Sequence, residues 1–211
     1  MAAGPSGTAP PPPAWLARRA LPIVDVPAGT RVFRIHRLGH GAAFFGPRVD
    51  PATGERQPPT NRFDSTSGSF GVLYAAARFE GAFAETILRN PQLTFVSQNY
   101  IRRRCVTELT FSRDVRLVDM RGRGLSRIGT TNAISTGPYP PCWIWSNYLY
   151  SHRDKPDGIA YSSRHNPAQI CYAVFERSDL AVAQGEPIPL GELLPEIRHI
   201  LRHYGKLLTR P

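Results

Sequence analysis

Five polar side chains in this sequence are of types that do chemistry at other sites: Arg34, Arg62, Tyr74, Glu85 and Ser163. A guanidinium is a planar fork of donors that grips phosphate oxygens in pairs, so the two arginines are candidate anion anchors. Each residue also has an ordinary structural reading. Arg34 can be a surface cation on a strand, Arg62 can pair with Asp64, and Tyr74 can be core. Glu85 can pair with Arg89 one helical turn on, and Ser163 can be a turn residue in Tyr161-Ser-Ser-Arg-His165. Other chemistries find less support. There is no glycine-rich phosphate loop, since Gly122-Arg-Gly124 is too short, and neither a GxSxG elbow nor an HExxH helix. The six histidines (His36, His40, His152, His165, His199, His203) show no metal-ligand spacing with nearby carboxylates. His199 and His203 read as a solvated helix face, and no metal is expected.

The wider composition bounds the reading. The chain has 211 residues, enough for one domain with one sizeable core. No apolar run of 18 residues exists and no signal-peptide pattern opens the chain, so neither a membrane span nor secretion is expected. Cys105, Cys142 and Cys171 are odd in number and widely spaced, which fits a reduced, cytoplasmic protein better than a disulfide framework. The formal net charge is +10, and only Lys155 and Lys206 among 26 cations are lysines. Arginine, proline and alanine rise together in GC-rich coding sequence, which accounts for most of these arginines. The charge still implies anionic partners: nucleotides, nucleic acid or an acidic protein.

The elements that must position the five side chains follow from periodicity. Residues 1–29, with four consecutive prolines ending at Pro13, read as an unstructured Pro/Ala-rich segment. Within it Trp15, Leu16, Leu21, Ile23 and Val24 are apolar enough to dock on the domain or on a partner. The domain runs over 30–211. Residues 31–36 alternate as a strand, 39–59 read as a long loop, and 70–74 as a short strand. Phe79, Phe83 and Ile87 recur every four residues and predict a helix over 78–89, ended by Asn90-Pro91. Strands are predicted over 105–111, 115–118, 158–161 and 169–175. A loop is predicted over 122–141 and a buried helix over 142–151. A closing amphipathic helix is predicted over 190–208, with Pro195 in its first turn. Short interleaved strands with few helices make an α+β class.

The order and spacing of Asn61-Arg-Phe-Asp64, Gly71-Val-Leu-Tyr74 and Glu80-Gly-Ala-Phe-Ala-Glu-Thr-Ile-Leu88 resemble the core of the RES domain family. Asp157-Gly-Ile-Ala-Tyr-Ser-Ser-Arg-His165 followed by Cys171-Tyr-Ala-Val-Phe175 resembles its serine-bearing region, and Arg31-Val-Phe-Arg-Ile35 its first strand. Ser163 is preferred over the adjacent Ser162 for its Ser-Arg pattern. Asn61 departs from the glycine that many relatives carry before the arginine. The resemblance implies an ADP-ribosyltransferase-like split, mixed β-sheet core with flanking helices. It also implies a toxin of a toxin–antitoxin pair that consumes NAD+ as substrate, with no cofactor and no metal. The implied partner is a helix-turn-helix antitoxin.

On that resemblance the residue types suit the chemistry. Arg34 and Arg62 would hold the pyrophosphate of NAD+, and Glu85 would steady the oxocarbenium-like ribose as nicotinamide leaves. Tyr74 would stack on nicotinamide or hold the ribose, and Ser163 would bond the ribose or position Glu85. Water, phosphate as co-substrate, or a protein can accept the ADP-ribosyl group. The outcome is accordingly glycohydrolysis, phosphorolysis or mono-ADP-ribosylation. A reading of another class is a basic nucleic-acid-binding module, with Arg102-Arg-Arg104 beside Tyr100 and Arg121-Gly-Arg123 tracking phosphates. The aromatics do not recur as a stacking platform, so no direct nucleic-acid contact is expected. A homo-oligomer stays open.

Overall fold

The computed structural model describes residues 7–46, 49–50 and 52–209. Its strands are β1 (Ile23–Val26), β2 (Val32–Arg37), β3 (Val72–Ala76), β4 (Phe95–Val96), β5 (Arg104–Phe111), β6 (Val115–Met120), β7 (Gly158–Ser162), β8 (Ile170–Phe175), β9 (Val182–Gln184), β10 (Ile188–Pro189) and β11 (Leu207–Leu208). Its α-helices are α1 (Phe79–Ile87), α2 (Gln98–Arg102), α3 (Arg123–Ile128), α4 (Ala133–Thr136), α5 (Tyr139–Tyr150) and α6 (Leu194–His203). The main sheet runs β1-β6-β7-β8-β3-β2-β5-β10, with β9 also on β5. It is mixed, because β6 and β7 are parallel while the other neighbours are antiparallel. This is the expected α+β architecture. Among the described residues no helix is long and apolar enough to cross a membrane.

Both faces of the sheet are covered. Along β3, Val72 and Ala76 join a core on one face, with Tyr74 packed against it, while Leu73 and Ala75 join a second core on the other. The pleat of a strand dictates that alternation. The larger core gathers Phe63, Phe83, Trp145, Leu149 and Phe175 under α1 and α5. The smaller one gathers Val32, Leu109, Leu117 and Val174 under Phe45 and Leu180.

One seam is weak. β2 follows β5 through six residue pairs, and β3 follows β8 through five, but β2 and β3 meet only at Phe33 and Ala76. The sheet is therefore split, and the strands diverge around one pair. That opening makes the cleft described below.

Several sequence expectations need correction. The segment read as unstructured over 1–29 is folded where it is described; residues 1–6 of it lie outside the described residues. Ala14–Arg18 form a 3-10 turn, and β1 pairs with β6 at the sheet edge. Leu16 and Leu21 are buried, as docking of these residues requires. Composition alone misses this because the ordering comes from long-range contacts: the Trp145 indole donates to the Pro10 carbonyl at 2.7 Å, and the Leu21 amide to Asp154 at 2.9 Å. The loop predicted over 122–141 contains α3, stopped at Gly129 in the left-handed region (φ +80°), and then α4. The closing helix breaks earlier than predicted. Gly205, at φ +63°, turns the chain into β11, which pairs in parallel with β4. Pro195 does lie in the first turn of α6. The 39–59 loop is irregular, with bridges Gly46–Val72 and Val49–Arg56; its positions 47, 48 and 51 lie outside the described residues.

Candidate functional site

The cleft at the split has a volume of about 360 Å³, within the usual range of small-molecule sites. Phe33, Arg34 and Ile35 of β2 form one wall and Tyr74, Ala75 and Ala76 of β3 the other. Glu85 on α1 lines it too, with Arg62, Arg89 and Arg164. Four of the five side chains singled out from sequence thus line one cleft, and the fifth, Ser163, touches it through Glu85. Glu85 is the one carboxylate among the lining residues, against four guanidinium groups.

Glu85 is held from a separate element. The Ser163 hydroxyl donates to Glu85 Oε1 at 2.6 Å, and the Arg164 amide donates to the same oxygen at 2.9 Å. Both bonds fall on Oε1. The helical pattern that formed α1 puts Ala84 and Ile87 into the core and turns Glu85 to the cleft wall. Ser163 is buried, and its oxygen accepts from the amides of His165 and Asn166 at 3.1 and 3.2 Å. Ser163 makes this contact with Glu85; its neighbour Ser162 is the last residue of β7. No side-chain pair with Arg89 competes here: the Arg89 Nε donates to the Glu85 backbone carbonyl at 2.8 Å.

The two predicted anion anchors differ in what they hold. Arg34 Nη1 donates to the carbonyls of Ala42 and Phe44 at 2.9 and 2.7 Å, fastening the loop after β2. Burial pulls its pKa down to about 10, so it stays charged at neutral pH. Arg62, only 7% exposed, donates through Nη1 to the carbonyls of Ile134 and Gly137 at 3.2 and 2.9 Å. Its guanidinium carbon lies 4.9 Å from the centre of the Tyr139 ring. Arg62 therefore secures the shelf between α4 and α5 while lining the cleft.

Asp64 does not pair with Arg62. It is fully buried, and its Oδ2 accepts from the amides of Thr60 and Asn61 at 2.8 and 2.6 Å, closing its own turn. Asp64 Oδ1 accepts the Tyr74 hydroxyl at 2.8 Å, and that hydroxyl accepts the Phe63 amide at 2.9 Å. Burial, reinforced by the Asp64 charge, pushes the Tyr74 phenol well above its ordinary pKa. Tyr74 thus has its oxygen engaged by the protein. Asn61 departs from glycine without strain, and its carbonyl accepts the Trp143 indole at 2.8 Å.

Sequence reasoning missed Arg89, Arg164, Tyr139, Tyr161 and His165, all of which line the cleft. Arg164 had a signal, since it follows Ser163 directly. The others reach the cleft from separate elements. Burial lowers the His165 pKa. The basic stretches of the nucleic-acid reading are partly occupied. Arg104 stacks on Tyr100 with its guanidinium carbon 3.6 Å from the ring centre, and Arg121 pairs with Asp119 at 2.6 Å. No cluster of three metal-ligating side chains occurs among the described residues.

A split, mixed sheet with a guanidinium-rich cleft around one anchored carboxylate defines the class as an α+β protein with its candidate site at the split. The chain belongs to the RES domain family, whose model matches residues 31–194. Among solved structures, it is similar to a chain in the crystal structure of the M. tuberculosis MbcT–MbcA toxin–antitoxin complex. The identity is 13% and the TM-score 0.56, covering 83% of this chain and 92% of that one. At that identity the likeness is one of fold. No curated protein matches the chain. All five predicted site residues fall inside the family match; the folded N-terminal segment and most of α6 fall outside it.

Proposed function

We propose that the protein is the toxin of a two-gene toxin–antitoxin pair and that its cleft destroys NAD+ by breaking the nicotinamide N-glycosidic bond. One observation carries the reading: Glu85, gripped on Oε1 by Ser163 and the Arg164 amide, is the one acid among four arginines lining the cleft. Such a lining suits a ligand that is doubly negative at one end and develops positive charge at the other. Guanidinium forks match the pyrophosphate. Nicotinamide in NAD+ already carries positive charge and needs no protonation. It departs with the electron pair of the C1′–N bond and leaves an oxocarbenium-like ribose. The fixed carboxylate stabilises that charge as it appears. An oxygen of water or phosphate then bonds to C1′, and water, if it attacks, releases a proton to solvent. The Tyr74 ring forms the wall available to nicotinamide, because its hydroxyl is engaged by Asp64 and Phe63. Ser163 acts here by orienting Glu85.

Belonging to the RES family and sharing a fold with a chain of a toxin–antitoxin complex support the pairing with an antitoxin. In this reading the antitoxin is a helix-turn-helix protein and the pair acts in the cytoplasm. The test is incubation of the purified protein with NAD+ labelled in the ADP-ribose half, with and without phosphate. Loss of NAD+ to ADP-ribose or its 1″-phosphate is expected, and label on a protein band would redirect the reading to ADP-ribosyl transfer. Glu85→Gln is expected to slow the loss about a hundred- to a thousandfold with the fold intact. A wild-type rate in Glu85→Gln would remove the mechanism.

A further inference from the structure

The Ser163–Glu85 bond joins two separate bodies, the turn between β7 and β8 and the helix α1. Its length therefore depends on something that fixes one body against the other. The turn itself is short and partly exposed, closed by the Ser163 amide on the Gln169 carbonyl and the Gln169 amide on the Asn166 carbonyl, both at 2.9 Å. Within it the Asn166 amide donates to Ser163 Oγ at 3.2 Å. The Asn166 side chain reaches outward from the turn. Its Nδ2 donates to the hydroxyl of Tyr204, just after α6, at 2.5 Å. That hydroxyl in turn donates to Oε1 of Glu80 at 2.8 Å. Glu80 sits on α1, the same helix that carries Glu85. The phenol thus ties the turn that bears the serine to the helix that bears the carboxylate, beside a longer direct bond from Asn166 Nδ2 to Glu80 Oε1 at 3.5 Å. Burial and the nearby Glu80 raise the Tyr204 pKa, which keeps the proton it donates. Tyr204 lies beyond residue 194, where the family match ends.

We propose that Tyr204 is a positioning residue for Glu85, clamping the β7–β8 turn to α1 through Asn166 and Glu80 so that Ser163 meets the carboxylate at the right place. The proposal rests on the reading of Glu85 given above. A brace of this kind acts on the reacting geometry and leaves Arg34 and Arg62, which stand on other elements, untouched. It therefore belongs to kcat and not to KM. Misplacement of a reacting group by about 1 Å costs up to about a hundredfold in rate. Loss of one brace in a network with other ties is expected to cost about tenfold.

The test is Tyr204→Phe, which keeps the packed ring and removes only the hydroxyl. The expected result is kcat for NAD+ loss down about tenfold, with KM within about twofold of wild type. In the Ser163→Ala background Tyr204→Phe is expected to cost less than it costs alone, because only the Arg164 amide is then left for the clamp to aim at Glu85. Full kcat in Tyr204→Phe, a change confined to KM, or independent losses that multiply in the double variant would each overturn the proposal. Hydrogen exchange of the Arg164 and Asn166 amides gives a readout that needs no turnover. It is expected to speed up about tenfold in Tyr204→Phe while amides of β3 and β8 keep wild-type rates. Should the wild-type protein leave NAD+ intact, the function reading fails on its own. The exchange result then decides the clamp: faster exchange upholds it and unchanged exchange overturns it.

Discussion

Arg62 is nearly sealed from solvent, and a sealed guanidinium persists only where its donors are satisfied. Its Nη1 is spent on the carbonyls of Ile134 and Gly137, and Tyr139 covers its face. Removing the side chain therefore acts twice. It takes a donor from the Gly137 carbonyl and one of two from the Ile134 carbonyl, which keeps the Cys142 thiol at 3.2 Å, a loss of about 1–3 kcal/mol, and it loosens the shelf that presents Tyr139 to the cleft. Arg62→Ala is expected to lower the urea midpoint and to raise the NAD+ concentration at half-maximal rate. A variant with wild-type values of both would take Arg62 out of the site and out of the fold's supports. The five candidate residues were legible because their spacing matched a family pattern. Their division of labour was not. That Tyr74 serves Asp64, that Arg34 fastens Ala42 and Phe44, and that Ser163 rather than Ser162 meets Glu85 are facts of three-dimensional approach.

At the scale of elements, the readable parts were those with strong periodicity. Phe79, Phe83 and Ile87 gave α1 nearly to its ends, and the alternation of 105–111 gave β5. Unread were short pieces whose order comes from distant partners: β1, β4, β9, β10, β11 and the two helices inside 122–141. A two- to four-residue strand has no period to detect, and only its neighbour decides that it exists. The N-terminal segment makes the point energetically. Leu16 is fully buried in the main core, and the Leu16 carbonyl accepts from the buried His152 ring at 3.2 Å. The proline-rich composition signals disorder only if these contacts are ignored. Leu16→Ala is expected to cost about 2–5 kcal/mol, the range for deleting a buried leucine side chain. Urea unfolding monitored by far-UV circular dichroism checks it. A cost near zero would mean that the segment leaves the core in solution, as its composition alone suggests.

For the whole molecule, the cleft exists because β2 and β3 part after a single pair, and no sequence period encodes which two neighbours in a sheet will part. What the sequence does carry at this scale is charge. A net +10 spread over the surface raises the local concentration of a net anionic ligand. Arg89 and Arg164, both exposed at the cleft rim, sharpen that field where it matters. Salt screens such attraction over a Debye length that shrinks from about 10 Å at 0.1 M to about 3 Å at 1 M. On the proposed mechanism, the stabilisation of a developing ribose cation by Glu85 would work at contact distance inside the cleft and be screened much less. The two contributions should therefore separate. Raising ionic strength with an inert salt is expected to lower kcat/KM for NAD+ severalfold and to leave kcat nearly unchanged. Arg164→Gln is expected to flatten the dependence of kcat/KM on salt, since one of the cations that produces it is gone. Stopped-time assays of NAD+ loss across a salt series, on wild type and Arg164→Gln, measure both slopes. A kcat/KM indifferent to salt, or slopes equal in the two proteins, would mean that the rim arginines do not draw the dinucleotide in and that the charge of this chain serves another partner.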